Sequence, residues 1–154
     1  MKSLFIAVVM LLTTNMVFSQ DANKRQKEFN LNGDHVAIKG YDPVTYFTES
    51  KAKKGKQEFA VYHNGINYYF SSAANKELFK KEPNKYEPQY GGWCAYAMGN
   101  DGTKVEVDPE TFKVLNGKLY LFYNKFFTNT LKSWNKDEAR LKNNADANWA
   151  KFIK

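Results

Sequence analysis

One cysteine, Cys94, stands in this 154-residue chain, inside the run Pro88-Gln89-Tyr90-Gly91-Gly92-Trp93-Cys94-Ala95-Tyr96-Ala97-Met98. A deprotonated thiol is a nucleophile, a redox centre and a soft metal ligand. The two glycines before it let the backbone turn tightly or approach another group closely. A helix beginning after Gly92 would set Cys94 and Met98 four residues apart on one face, so that thiol and thioether point the same way. Two soft sulfur ligands of this kind suit cuprous copper. The two histidines of the chain, His35 and His63, are the candidates for a further metal ligand or for a base that activates the thiol, although neither stands at metal-motif spacing.

Other uses of the same residues compete with these. A lone cysteine forms no internal disulfide and runs no intramolecular dithiol cycle, so a redox role needs an external thiol or a sulfenic acid step, with a small thiol or peroxide as substrate. Cys94 can equally be a small buried hydrophobe and Met98 a core filler. Zinc asks for four ligands, and Cys94 with both histidines still lacks one. Tyr41, Tyr90, Trp93 and Tyr96 form either an aromatic binding wall around the thiol or ordinary packing. Hydrolase signatures and phosphate-binding glycine loops are missing from the sequence. Three readings stay open: a soft-metal site on Cys94 and Met98, a thiol-dependent oxidoreductase, and a non-catalytic ligand- or protein-binding module.

The elements that must position these residues begin after an address. Lys2 and the apolar run 4–12, followed by Val17-Phe18-Ser19, read as a signal peptide over 1–19, which implies an exported protein, periplasmic or secreted. That run is too short to span a bilayer, so no stable membrane insertion is expected once it is removed. Residues 20–28 are polar and charged and read as a flexible lead-in, leaving 29–154 as one domain. The formal charge is +7, but only Arg25 and Arg140 are arginines; scattered lysines read as a solvated surface and not as a nucleic-acid site.

The pattern predicts an α+β fold: a small antiparallel sheet built from two hairpins, with short helices and a helical C-terminal segment. Asn32-Gly33 breaks two short strands within 29–39, and Asp42-Pro43 opens a short helix with Val44 and Phe47 inward. Asn64-Gly65 and Asn116-Gly117 mark the two hairpins, over 59–70 and 112–123. A helix capped by Ser71 or Ser72 runs to about residue 81 with Ala74, Leu78 and Phe79 on its inner side, and Pro83 stops it. Residues 104–107 alternate as a strand. From 124 onward, Phe127, Leu131 and Trp134 form one helical stripe, and Leu141, Ala145, Trp149 and Phe152 a second, with a break at 135–137.

With Tyr41-Asp42-Pro43-Val44, the aromatic strand ending Tyr68-Tyr69-Phe70-Ser71-Ser72, then Phe79, Pro83, Lys85 and Tyr86, the chain resembles the YHS domain family over about residues 40–87. Continuing through Tyr90-Gly91-Gly92-Trp93-Cys94-Ala95 to Asp146-Ala147-Asn148-Trp149, it resembles an exported YHS subfamily that includes selenoproteins. The resemblance implies an α+β fold and a link to soft metals or redox chemistry, and places Cys94 where some members carry selenocysteine. It also implies a difference. Metal-type YHS domains carry cysteines after Asp-Pro-Val and around the Phe-x-Ser turn, where this chain has Thr45, Ser71 and Asn75.

Overall fold

The structure, a computed structural model, describes residues 21–154; the expected signal peptide lies outside the described residues. Residues 21–28, expected as a flexible lead-in, are helical (α1). Tertiary contacts that polar composition does not announce hold this helix. Arg25 pairs with Glu87, Glu28 pairs with Lys104, the Trp93 indole donates to the Glu28 carbonyl at 2.7 Å, and Gln26 Nε2 donates to the Gly65 carbonyl at 2.8 Å.

The chain then makes β1 (Leu31–Asn32) and β2 (Val36–Ala37), antiparallel around a turn at Gly33–His35. The Asn64-Gly65 hairpin joins β3 (Lys56–His63) to β4 (Ile66–Phe70), with His63 opposite Ile66. Asn64 and Gly65 have φ of 46° and 88°, the pair of positive values that a two-residue hairpin turn requires. β2 lies parallel to β4, giving a four-stranded sheet of order β1-β2-β4-β3. Along β4, Ile66, Tyr68 and Phe70 are buried and the residues between them are half-buried, the period-two pattern of a strand with one core face.

Helix α2 (Thr45–Thr48) starts two residues later than Pro43, because Asp42 Oδ1 accepts from the Val44 amide at 2.9 Å and closes a turn first. Helix α3 (Ala73–Lys81) is capped by Ser72, whose hydroxyl accepts from the Asn75 amide. Of its three expected inward residues only Phe79 is buried; Ala74 and Leu78 are exposed, since the sheet meets a single ridge of this helix. After α4 (Pro83–Tyr86) and a tight turn at Gln89–Gly92 comes α5 (Ala95–Asn100).

Residues 104–107 run without strand pairing, and their carbonyls serve other segments: Val105 O accepts from the Cys94 amide and Val107 O from Lys39 Nζ. The second hairpin, β5 (Asp108–Leu115) and β6 (Lys118–Phe122), turns over Asn116-Gly117 as expected and forms its own two-stranded sheet. Isolated parallel bridges connect it to the central run, Pro88 to Leu119 and Cys94 to Leu121.

Strand β6 is buried on both faces. Leu119 and Leu121 enter one core cluster with Phe70, Phe79 and Tyr68, while Tyr120 and Phe122 enter a second with Trp134, Met98, Leu141 and Ala145. The stripe expected from Phe127 is broken. Asn124–Lys125 (β7) and Thr128–Asn129 (β8) form a miniature hairpin with Phe126 and Phe127 at its tip, and α6 (Thr130–Trp134) begins only after the Asn129 side chain caps it. Helix α7 (Glu138–Ile153) buries Leu141 and Ala145 and closes the second cluster.

Candidate functional site

Cys94 is the residue that caps α5, with φ −58° and ψ 116°, so it lies outside the helical geometry that the four-residue spacing assumed. Its carbonyl accepts from the Met98 amide at 3.0 Å, but the two side chains enter different core clusters. Both are fully buried. The sulfur sits at the base of the β7–β8 hairpin, where the Tyr123 amide donates to it at 3.3 Å and the Thr130 hydroxyl lies 3.4 Å away. Thr130 returns to Tyr123 through its amide, at 3.0 Å, and its hydroxyl, at 2.9 Å, both donating to the Tyr123 carbonyl.

The histidines occupy other places. His35 is exposed on the turn between β1 and β2. His63 ends β3 with its ring edge-on to Phe79 at 5.8 Å, and burial lowers its pKa from the ordinary value. Among the described residues no group of three or more histidines, cysteines and carboxylates is arranged to hold a metal ion.

The four aromatic candidates are divided too. Tyr41 donates its hydroxyl to Glu110 at 3.1 Å, with Lys54 Nζ 4.1 Å from its ring centre. Trp93 is tied to α1, and Tyr96 packs against both core clusters. Tyr90 is buried and donates to Asp146 at 2.8 Å; burial first, and then Asp146, push its hydroxyl far above the usual tyrosine range.

Asp42, expected to open the helix at Pro43, is a buried carboxylate that does more than cap. Its Oδ1 accepts from the Val44 amide, and its Oδ2 from the Ser71 amide and hydroxyl, both at 2.7 Å, and from Asn75 Nδ2 at 2.8 Å. Thr45 donates its hydroxyl to the Asp42 carbonyl at 3.0 Å. Thr45, Ser71 and Asn75 therefore meet around one aspartate, as a hydrogen-bonded structural knot.

Tyr90 lines a cleft of about 350 Å³ together with Arg25, Phe29, Glu87, Gly91 and Trp149. Of the two central glycines, Gly91 lines this cleft. Gly91 has φ 59°, and a Cβ there would lie 2.7 Å from the Trp149 ring and 3.0 Å from the Phe29 ring, so both aromatics rest on bare backbone. The two rings meet edge to face, with centres 5.6 Å apart. The Gly91 carbonyl accepts from the Asn30 amide at 2.9 Å, and the Gly92 carbonyl from the Asn30 side chain at 3.2 Å, which fixes the turn.

The polar part of the cleft is a network. Arg25 lies over the Phe29 ring, pairs with Glu87, and donates through Nε to the Asn64 carbonyl at 3.0 Å. Glu87 also accepts from the Tyr68 hydroxyl at 2.7 Å. Burial and Glu87 raise the Tyr68 pKa well above its ordinary value, so the phenol stays a donor. The glycines and Tyr90 were legible in the sequence as a special stretch; Arg25, Phe29, Glu87 and Trp149 carry no motif and are gathered by the fold.

Compared with known proteins, the chain matches no family model, no curated protein and no solved structure.

Proposed function

We propose that the protein is a non-catalytic binding module whose cleft, between α1, the 84–91 segment and α7, takes a small amphipathic molecule. The cleft's lining is the observation that carries this reading. Phe29 and Trp149 supply an aromatic surface, and Arg25, Glu87 and Asn84 supply polar groups in the same space. A volume of about 350 Å³ suits a small ligand, and a wall that is about as polar as it is apolar suits one with both kinds of surface.

Cys94 is structural on this reading. Copper binding through Cys94 and Met98, and redox chemistry at Cys94 with a thiol or peroxide substrate, both need the sulfur to be reached; its full burial supports the binding module over either. The same proposal keeps the chain among exported YHS-type domains. Its support is that Thr45, Ser71 and Asn75, standing where metal-type members carry cysteines, all hydrogen-bond to Asp42, so that polar contacts do the holding there.

Fluorescence titration with 1-anilinonaphthalene-8-sulfonate, a flat aromatic body with one polar group, tests the reading. Saturable one-to-one binding that weakens about tenfold or more in Trp149→Ala is expected, since removing a ring that buries ligand surface loses this much. Absence of saturable binding, or binding indifferent to Trp149→Ala, overturns it.

A further inference from the structure

The tip of the β7–β8 hairpin carries Phe126 and Phe127, which are the two most exposed large apolar side chains among the described residues, Phe126 at 86 % and Phe127 fully so. Both have positive φ, 50° and 64°, in the left-handed region that side-chain-bearing residues avoid. They are the central residues of a two-residue turn between Lys125 and Thr128, a place that asparagine and glycine fill without strain. Two phenylalanines held in a disfavoured conformation and pointed into water fit no folding purpose visible in this core.

In the sequence around them the charge has one sign. From residue 111 to residue 136 the sequence contains five lysines and no aspartate or glutamate. Lys113 is paired with Glu138, whereas Lys118, Lys125, Lys132 and Lys136 are exposed and enter no ion pair among the described residues. Lys125 directly precedes the two rings, and Lys132 lies in the helix that follows the hairpin.

We propose that this hairpin is a membrane-contacting wedge that inserts Phe126 and Phe127 into the interface of an anionic lipid surface while Lys125, beside the rings, meets its headgroups. Size separates a lipid surface from a protein partner. Two phenylalanine side chains bury roughly 300–500 Å² together, short of the roughly 800 Å² that each side of a stable protein interface contributes. A lipid interface needs no complementary shape, and basic residues close to an anionic surface add to the attraction. Free phosphate would engage the lysines and leave the rings in water. The contact is peripheral and reversible, and it uses none of the residues that line the cleft.

Sedimentation of the full chain with vesicles of equal phosphatidylglycerol and phosphatidylcholine, against phosphatidylcholine alone, tests it. Residues 4–12 are themselves apolar, so the readout is the difference between variants in the same full chain. Phe126→Asn combined with Phe127→Gly suits the turn and should keep the fold, checked by circular dichroism. Partition onto the anionic vesicles is expected to fall about tenfold or more in this variant. Lys125→Gln should weaken it about fivefold at low salt and little at high salt. Equal partition of the wild type and the double variant, or equal partition onto the two vesicle types, overturns the proposal. So does a wild-type dimer that the double variant disperses on gel filtration, which makes the tip a contact between copies.

Discussion

The Tyr123 amide donates a hydrogen bond to Cys94 Sγ across 3.3 Å, and this contact fastens the foot of the aromatic-tipped hairpin to the core. Cys94 is held in turn by its own amide, which donates to the Val105 carbonyl at 3.0 Å. One residue therefore ties the cap of α5 to two segments distant in sequence.

Cys94 should accordingly resist a thiol reagent in the native protein and react as one thiol per chain after denaturation. Cys94→Ala is expected to cost about 2 kcal/mol in urea unfolding, from the small cavity and the orphaned Tyr123 amide. Rapid native labelling would show that the sulfur is reached and would return weight to its chemical roles.

Gly91→Ala brings a methyl against two aromatic rings at a residue with positive φ. Relief requires Trp149 or Phe29 to move, so a loss of about 1–3 kcal/mol is expected in urea, with weakened dye binding in the cleft. Gly117→Ala is the comparison, because its site is open and its cost should be confined to backbone strain, about 1 kcal/mol.

Asp42→Ala strips the acceptor from four buried or half-buried donors at once: the Ser71 amide and hydroxyl, Asn75 Nδ2 and the Val44 amide. About 3 kcal/mol or more should be lost in chemical denaturation. Asp42→Asn keeps the shape but turns a donor toward donors, so it should rescue only part of the loss.

Acid should destabilise the fold in two steps. His63 has a folded pKa below its unfolded value, through burial, so the unfolded chain binds its proton first and stability declines as pH falls below the ordinary histidine range. Glu28 and Glu138 are lowered by Lys104 and Lys113, so their contributions are present above the ordinary glutamate range and disappear as pH falls through their folded values. Urea midpoints measured from pH 8 to pH 3 should show both, and His63→Gln should remove only the upper one.

Replacing Phe126-Phe127 by Asn-Gly relieves left-handed strain without touching the core, and is expected to raise stability by about 1 kcal/mol in urea unfolding. A gain in stability accompanied by loss of vesicle binding is the pattern of residues kept for a function.

Local signals were readable where they rest on turn chemistry: Asn64-Gly65, Asn116-Gly117 and the Ser72 cap stand where the residue types place them. The readings that failed share one cause, a local pattern overruled by contacts far along the chain. Residues 21–28 look like a solvated lead-in until Glu87 and Lys104 arrive to pair with Arg25 and Glu28. Phe127 matches a helical stripe with Leu131 and Trp134, and nothing in a phenylalanine announces a tight turn. Cys94 and Met98 have helical spacing, yet the helix starts one residue too late for the spacing to matter. Of the cleft, only the glycines and Tyr90 stood out, because the rest comes from segments about 60 residues apart in sequence.

Phe29 and Trp149, which meet over Gly91, come from opposite ends of the described chain. A chain emerging from the ribosome can form both main hairpins while α7 is still unmade. The cleft wall closes only when the last turns arrive. Any molecule that occupies the cleft therefore meets a chain already made through α7, and a chain cut short before residue 149 lacks the Trp149 wall of the cleft.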